Sequence, residues 1–190
     1  MDNVTPETAI VEANINGLKV EIDFLGHVKG VKDDKLEQAA VELVLNVRLA
    51  EGRTDTIRVP IMHPLHCLQS RLSNVVSLGR KDDTSKRQLE ASSIVLREYI
   101  SETLDDGEHR DATQILETLF EYLRSDVSGR RAHLIMNNDP ALVLEHFADD
   151  SRIDERYRAN TLANMRRQLA KRRTAWATMA ARMGQALGLN

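Results

Sequence analysis

The chain has 190 residues, of which 42% are hydrophobic and 29% are charged, with a formal net charge of −3 and a single cysteine. This composition is typical of a soluble globular protein. No apolar run reaches the length of a membrane span, and Met1-Asp2-Asn3 does not open a signal peptide. Because Cys67 has no partner for an internal disulfide, we expect a reducing, cytoplasmic location.

The charge is unevenly distributed along the chain. Residues 151–190 hold nine Lys/Arg and two Asp/Glu, which leaves 17 basic and 27 acidic residues before them. The first part is therefore near −10 and the last part near +7. Such asymmetry indicates either a tail that binds a polyanion or a tail that docks on the acidic part of its own molecule.

The first predicted element is a β-hairpin over residues 8–25. Two alternating runs flank Asn16-Gly17, a dipeptide that tolerates the positive φ angles of a type I′ turn. In the second strand, alternation puts Glu21 and Asp23 on one face. Two carboxylates on a strand face are usually its solvated side. The other interpretation is that they serve as metal ligands or as a general base at the end of a sheet.

A second hairpin follows a polar loop or short helical turn over residues 31–38. Period-two alternation predicts strands over residues 41–50 and 56–62, with a turn at Glu51-Gly52-Arg53. We expect these four strands to form one small sheet that needs helices or further strands to cover it.

At His63-Pro64 the pattern becomes helical, since Pro64 suits the first turn of a helix and the apolar spacing changes to three and four. This helix is predicted to end at Gly79. Four more helices are predicted, over residues 85–104, 111–123, 140–147 and 154–187.

Three details of these helices carry predictions of their own. Ser85 with Gln88, and Asp111 with Gln114, have the spacing of helix caps. Arg172 interrupts the apolar stripe of the last helix. Trp176 fits that stripe better than it fits a base-stacking role.

Strands first and helices afterwards predict an α+β fold. We expect a small hairpin-built sheet over about residues 8–62, followed by a helical bundle over about residues 63–188. The expected domain organisation is correspondingly a β-rich part, residues 1–62, and a helical part, residues 63–190.

One cluster and one single residue have side chains that could carry chemistry. His63, His66 and Cys67 are possible zinc ligands, but no further ligand stands at a telling spacing. The alternative is that His63 caps the helix and Cys67 is a small core residue. Arg71 is either a solvated or salt-bridged residue or a phosphate clamp, for which a guanidinium is suited.

The segments VEIDFLG, RVPIMHP, CLQSRLSNV and RKDD, in that order, resemble nucleotidyltransferases of the DNA polymerase β-like superfamily. The closest likeness is to its uncharacterised and abortive-infection-type bacterial groups, and it covers about residues 8–100. The resemblance implies that Asp23 is the third catalytic carboxylate and a Mg²⁺ ligand, with Glu21 beside it. It also implies that Arg71 stands where the family often has a Lys that contacts the nucleoside triphosphate.

In that family a Gly-Ser or Gly-Gly turn, and then two Asp separated by one residue, come before the third carboxylate. Here residues 1–7 precede the hairpin and hold no such pair. Because two-metal phosphoryl transfer needs several carboxylates, we expect a catalytically incomplete chain, either a C-terminal piece of an enzyme or a degenerate homologue.

Two further expectations concern partners. An unpaired strand edge can pair with another chain, so we expect a homodimer through strand addition or through the apolar stripe of the last helix. The alternative to a nucleotidyltransferase-like protein is a non-enzymatic interaction protein whose basic C-terminal helix binds nucleic acid or an acidic partner.

Overall fold

The structure, a computed structural model, describes residues 8–15, 18–25, 28–48, 52–80, 82–137 and 139–186. Side chains are described for Lys19, residues 28–48, 52–80, 82–137 and 139–175, and Met179. The chain divides into two compact units, Met1–Lys81 and Asp82–Asn190. The predicted boundary at residue 62 marks the end of the strands, whereas the units divide after the helix that follows them. Strands precede the main helices, as the predicted α+β class requires.

Strands β1 (Thr8–Ile15) and β2 (Leu18–Leu25) form the first hairpin. They pair antiparallel, from Thr8 opposite Leu25 to Ile15 opposite Leu18, as the alternation predicts. Asn16-Gly17 lies outside the described residues. The register puts eight apolar residues on one face, namely Ala9, Val11, Ala13, Ile15, Leu18, Val20, Ile22 and Phe24.

The second hairpin follows the short helix α1 (Asp33–Gln38) and consists of β3 (Val41–Arg48) and β4 (Thr54–Ile61). Its polar face is held by a 2.6 Å ion pair between Arg58 and Glu42, and the Thr56 hydroxyl donates a 3.1 Å hydrogen bond to Asn46. Its other face carries seven apolar residues and one acid, namely Val41, Leu43, Leu45, Val47, Asp55, Ile57, Val59 and Ile61.

The expectation of one four-stranded sheet is wrong. Among the described residues, β1 pairs only with β2, and β3 pairs only with β4, so the structure has two separate two-stranded sheets. Alternation within a strand determines which residues share a face, but it does not determine which hairpin edges meet, because that pairing joins residues distant in sequence.

Helix α2 (Pro64–Ser77) begins and ends where the sequence predicts. Pro64 occupies its first turn and Gly79, with φ +66°, follows its end. The predicted apolar face is buried at Leu65, Leu68 and Leu72. Within the same unit the loop before α1 approaches α2 closely, since a Cβ added at Gly30 would overlap the Ser73 hydroxyl.

The second unit starts with α3 (Asp83–Asp105) and α4 (His109–Ser125). Both predicted caps are wrong in position. Asp82 caps α3 by accepting the Ser85 backbone N–H at 2.9 Å, and the Ser85 hydroxyl donates to the same carboxylate. Helix α4 starts before Asp111, which lies in its first turn, where a negative charge suits the helix dipole.

Helix α5 (Val127–Ile135) was not predicted. Asp126 caps it by accepting the backbone N–H groups of Ser128 and Gly129 at 2.7 and 3.2 Å. A glycine inside a helix lowers helix propensity. The sequence of this segment therefore does not predict a helix. Here the glycine is needed for packing, because a Cβ at Gly129 would overlap the Tyr122 carbonyl of α4.

The chain then forms α6 (Ala141–His146), a π-helical turn (Tyr157–Leu162) and α7 (Ala163–Ala186). Helical structure is continuous over residues 155–186, which confirms the long last helix. Side chains from all five α-helices of this unit, the π-helical turn and two connecting loops form its core, which includes Leu89, Leu96, Ile100, Leu116, Leu119, Ala132, Leu144, Phe147, Ile153, Leu162 and Leu169. Among the helices that the structure describes, none combines the length and apolar character needed to cross a membrane.

Candidate functional site

The two predicted carboxylates lie on β2. The register puts Glu21 opposite Glu12 and Asp23 opposite Ile10, so both acids share one face of the first hairpin, as predicted. Their side chains lie outside the described part of the chain. The structure therefore gives their backbone positions and their shared face, and their contacts with other groups stay a prediction.

Arg71 lies in the middle of α2 and is half-buried between the fully buried Leu68 and Leu72. Its side chain already interacts with other groups of the molecule, so it is not a free surface cation. A half-buried guanidinium on a helix of the same unit as β2 agrees with either a structural or a phosphate-binding role.

His63, the first of the two histidines at the start of α2, has a structural role. The Leu65 backbone N–H donates to His63 Nδ1 at 3.1 Å, so His63 is the N-cap residue, as one of the two predictions has it. Burial, and then the nearby His66, lower the pKa of His63 from 6.5 to about 4. Burial and the charge of Lys35 also lower the pKa of His66. Both effects favour neutral imidazoles at pH 7.

The zinc interpretation gains no support from this cluster. The rings of His63 and His66 are 5.7 Å apart, and His63 Nδ1 is occupied by the cap hydrogen bond. Cys67 is a half-buried free thiol. Within the described ranges, no three His, Cys, Asp or Glu side chains are grouped so that they could hold a metal ion.

The basic C-terminal part is partly docked on acids of its own unit. Arg152 pairs with Asp150 at 2.5 Å and with Asp105 at 2.6 Å. Further along, Arg166 pairs with Glu145, and Arg173 pairs with Asp139 at 2.6 Å. For three of the nine basic residues, these contacts favour the interpretation that the C-terminal part docks on acidic residues of its own molecule. Arg156, Arg167 and Lys171 are exposed.

Arg172, which interrupts the apolar stripe, has a specific contact. Its guanidinium donates to the backbone carbonyl of Arg124 in the last turn of α4. The last carbonyls of a helix have no partner within the helix and attract cations. Arg172 is therefore placed to cap α4, a role that its spacing in the sequence does not reveal.

Comparison with known proteins finds no relative of this chain. No protein-family model, no curated protein and no solved structure matches the chain.

Proposed function

We propose that the chain is a nucleotidyltransferase-like protein that is incomplete as a catalyst. Asp23 stands at the position of the third catalytic carboxylate, and Arg71 stands at the position that contacts phosphate in a complete enzyme. The observation that carries this proposal is the shared face of β2. The paired register keeps Glu21 and Asp23 on one side of a strand whose other side is entirely apolar. That arrangement puts two acidic residues on the same face of one strand.

The donor chemistry suits Mg²⁺ only in part. Carboxylate oxygens are the ligands that Mg²⁺ prefers, and Glu21 and Asp23 supply them. Two-metal phosphoryl transfer holds two cations about 4 Å apart and needs more carboxylates than these two. The chain is therefore proposed to be incomplete as a catalyst, and no transfer step is assigned to its residues.

Charge gives the expected behaviour towards nucleotides. A nucleoside triphosphate carries several negative charges, and Glu21 and Asp23 add two more on one strand face. Without enough bound metal, like charges repel, and the single charge of Arg71 does not reverse this. The chain should bind ATP, GTP, CTP and UTP with Mg²⁺ weakly or not at all, and it should transfer no nucleotide.

Calorimetry with the four triphosphates and Mg²⁺ tests the binding, and a labelled-nucleotide transfer assay tests the chemistry. The matched variants are Asp23→Asn and Asp55→Asn, the second removing an acid from the other hairpin. Robust transfer by the parent chain that Asp23→Asn alone abolishes would contradict the proposed incompleteness. It would mean that other carboxylates, from this chain or from a second copy, complete the site.

A second candidate is a non-enzymatic interaction protein. The observation that favours it is the apolar face of the β3–β4 hairpin, which is a different surface from the basic C-terminal helix expected from the sequence. Five of its large side chains are 37–46% exposed, namely Leu43, Leu45, Ile57, Val59 and Ile61. A two-stranded hairpin is marginally stable alone in water, and exposed apolar patches mark interaction surfaces. We propose that a second copy of the chain covers this face.

Sedimentation at low micromolar concentration tests this second candidate. Ile57→Glu puts a charge on the apolar face and should convert a dimer to monomer. Thr54→Glu puts the same charge on the polar face, opposite Arg48, and should leave the dimer intact. A parent chain that sediments only as a 21.4 kDa monomer would refute the proposed dimer.

A further inference from the structure

A small cavity in the second unit is lined by cationic side chains. It lies between α5, α7 and the end of α4, with Arg130 and His133 from α5, Arg172 and Arg173 from α7, and the buried Leu123 and Leu169 closing its apolar side. Its volume is about 10 Å³. That is close to what one water-sized atom needs, so a single ligand oxygen fits inside it.

The charges around the cavity are only partly balanced. Arg173 pairs with Asp139, and Arg172 donates to the neutral carbonyl of Arg124. The side chain of Arg130 is half-buried and makes no hydrogen bond or ion pair with the described part of the chain. Three guanidinium groups therefore share one carboxylate, which leaves an excess of two positive charges without counting the imidazole.

An anion would relieve this excess. Positive charges held near one another in a partly buried site repel each other and destabilise the folded protein. A bound oxyanion replaces this repulsion with attraction. Guanidinium forks match phosphate geometry and give short, charge-assisted hydrogen bonds. The excess of positive charge also acts on His133. Burial and then the charge of Arg173 lower the pKa of its ring, while Asp139 raises it.

We propose that this cavity is a binding site for a phosphoryl group, with Arg130 as its principal ligand. One phosphoryl oxygen enters the cavity and the remaining oxygens lie at its mouth, within reach of Arg172 and Arg173. The site lies in the helical unit and uses none of the residues assigned to nucleotide transfer, so it stands or falls independently of the proposed function.

Titration of the full chain with pyrophosphate and with inorganic phosphate at low salt tests the assignment. Arg130→Gln should raise the dissociation constant for pyrophosphate by about tenfold or more, because hydrogen bonds to charged groups are strong. Arg131→Gln is the matched control. Arg131 is the exposed neighbour on the same helix and does not line the cavity, so its removal should leave the constant unchanged.

A second readout needs no variant. Pyrophosphate should shift the NMR signal of the His133 ring and raise the pKa of that ring, because an added negative charge favours the imidazolium. The ring of His109, exposed at the start of α4, should not respond. This measurement keeps the assignment testable if Arg130→Gln fails to fold, which circular dichroism would show.

Competition distinguishes the source of the phosphoryl group. A single-stranded oligothymidine that displaces pyrophosphate, and whose own binding needs Arg130, identifies a nucleic acid backbone. Pyrophosphate binding without such competition identifies a small phosphorylated molecule. Three results would overturn the proposal: no pyrophosphate binding up to about 10 mM, equal losses in Arg130→Gln and Arg131→Gln, or equal responses of His133 and His109.

Discussion

Acidification should destabilise the first unit because the N-cap of α2 is a histidine that must stay neutral. His63 Nδ1 accepts the Leu65 backbone N–H, and a protonated imidazole has no acceptor to offer. Burial and the neighbouring His66 lower the pKa of His63 from 6.5 to about 4. The folded-state pKa of His63 is below its unfolded value. The contribution of His63 to stability is therefore complete above pH 6.5 and is lost as the pH falls towards 4.

The size of the effect follows from the same two values. At 1.36 kcal/mol per pKa unit, the difference between 6.5 and about 4 corresponds to roughly 3 kcal/mol. The ring is partly open to solvent, and screening reduces such a contribution, so we expect a loss of about 1–2 kcal/mol in the free energy of unfolding of this unit. The lowered pKa of His66 acts in the same direction.

Two measurements check this. NMR titration of the histidine rings should show His63 titrating near pH 4, and denaturant unfolding at pH 7.5 and 5 should show the loss of stability. His63→Asn keeps a side-chain acceptor at the cap without a titrating group, so most of the pH dependence between these values should disappear in it. A His63 ring that titrates near 6.5, or a His63→Asn variant with the same pH dependence as the parent, would refute the reasoning.

Two further predictions use matched pairs of variants. Arg152→Ala should lower the free energy of unfolding of the second unit by about 1–3 kcal/mol, because Asp150 and Asp105 lose their partner; the same change at the exposed Arg156 should cost less than about 0.5 kcal/mol. Gly30→Ala should cost about 2–4 kcal/mol, since it combines a positive φ with overlap against α2, whereas Gly52→Ala has the positive φ with open space and should cost about 1 kcal/mol. Denaturant unfolding measures all four. Equal losses within either pair would contradict the contacts on which that pair depends.

Local patterns predicted most of the elements correctly. Alternation predicted all four strands, and the Pro64 and Gly79 signals predicted both ends of α2. The predicted caps failed by a few residues, because Asp82 and Ser85 are both able to cap and the sequence does not rank them. Helix α5 was missed since its glycine is explained only by the approach of α4.

For the candidate sites too, the sequence predicts what depends on neighbouring residues and does not predict what depends on contacts between distant ones. The shared face of Glu21 and Asp23 follows from period two within one strand, and the structure has that register. The cationic cavity could not be predicted, because Arg130 and Arg172 lie on different helices. What brings them together is the packing of α5 and α7 against α4, and no spacing in the sequence encodes those contacts.

The most direct test of the central proposal asks whether the carboxylate face of β2 holds a divalent cation. Mn²⁺ has the oxygen-ligand preference of Mg²⁺ and broadens the NMR signals of nearby residues. We predict that millimolar Mn²⁺ broadens the backbone signals of Glu21 and Asp23 first, and that Asp23→Asn removes this broadening while Asp55→Asn does not. Broadening confined to other acids, such as Asp33 and Asp34 of α1, or broadening at β2 that Asp23→Asn leaves unchanged, would contradict the assignment of Asp23 as a metal-site carboxylate.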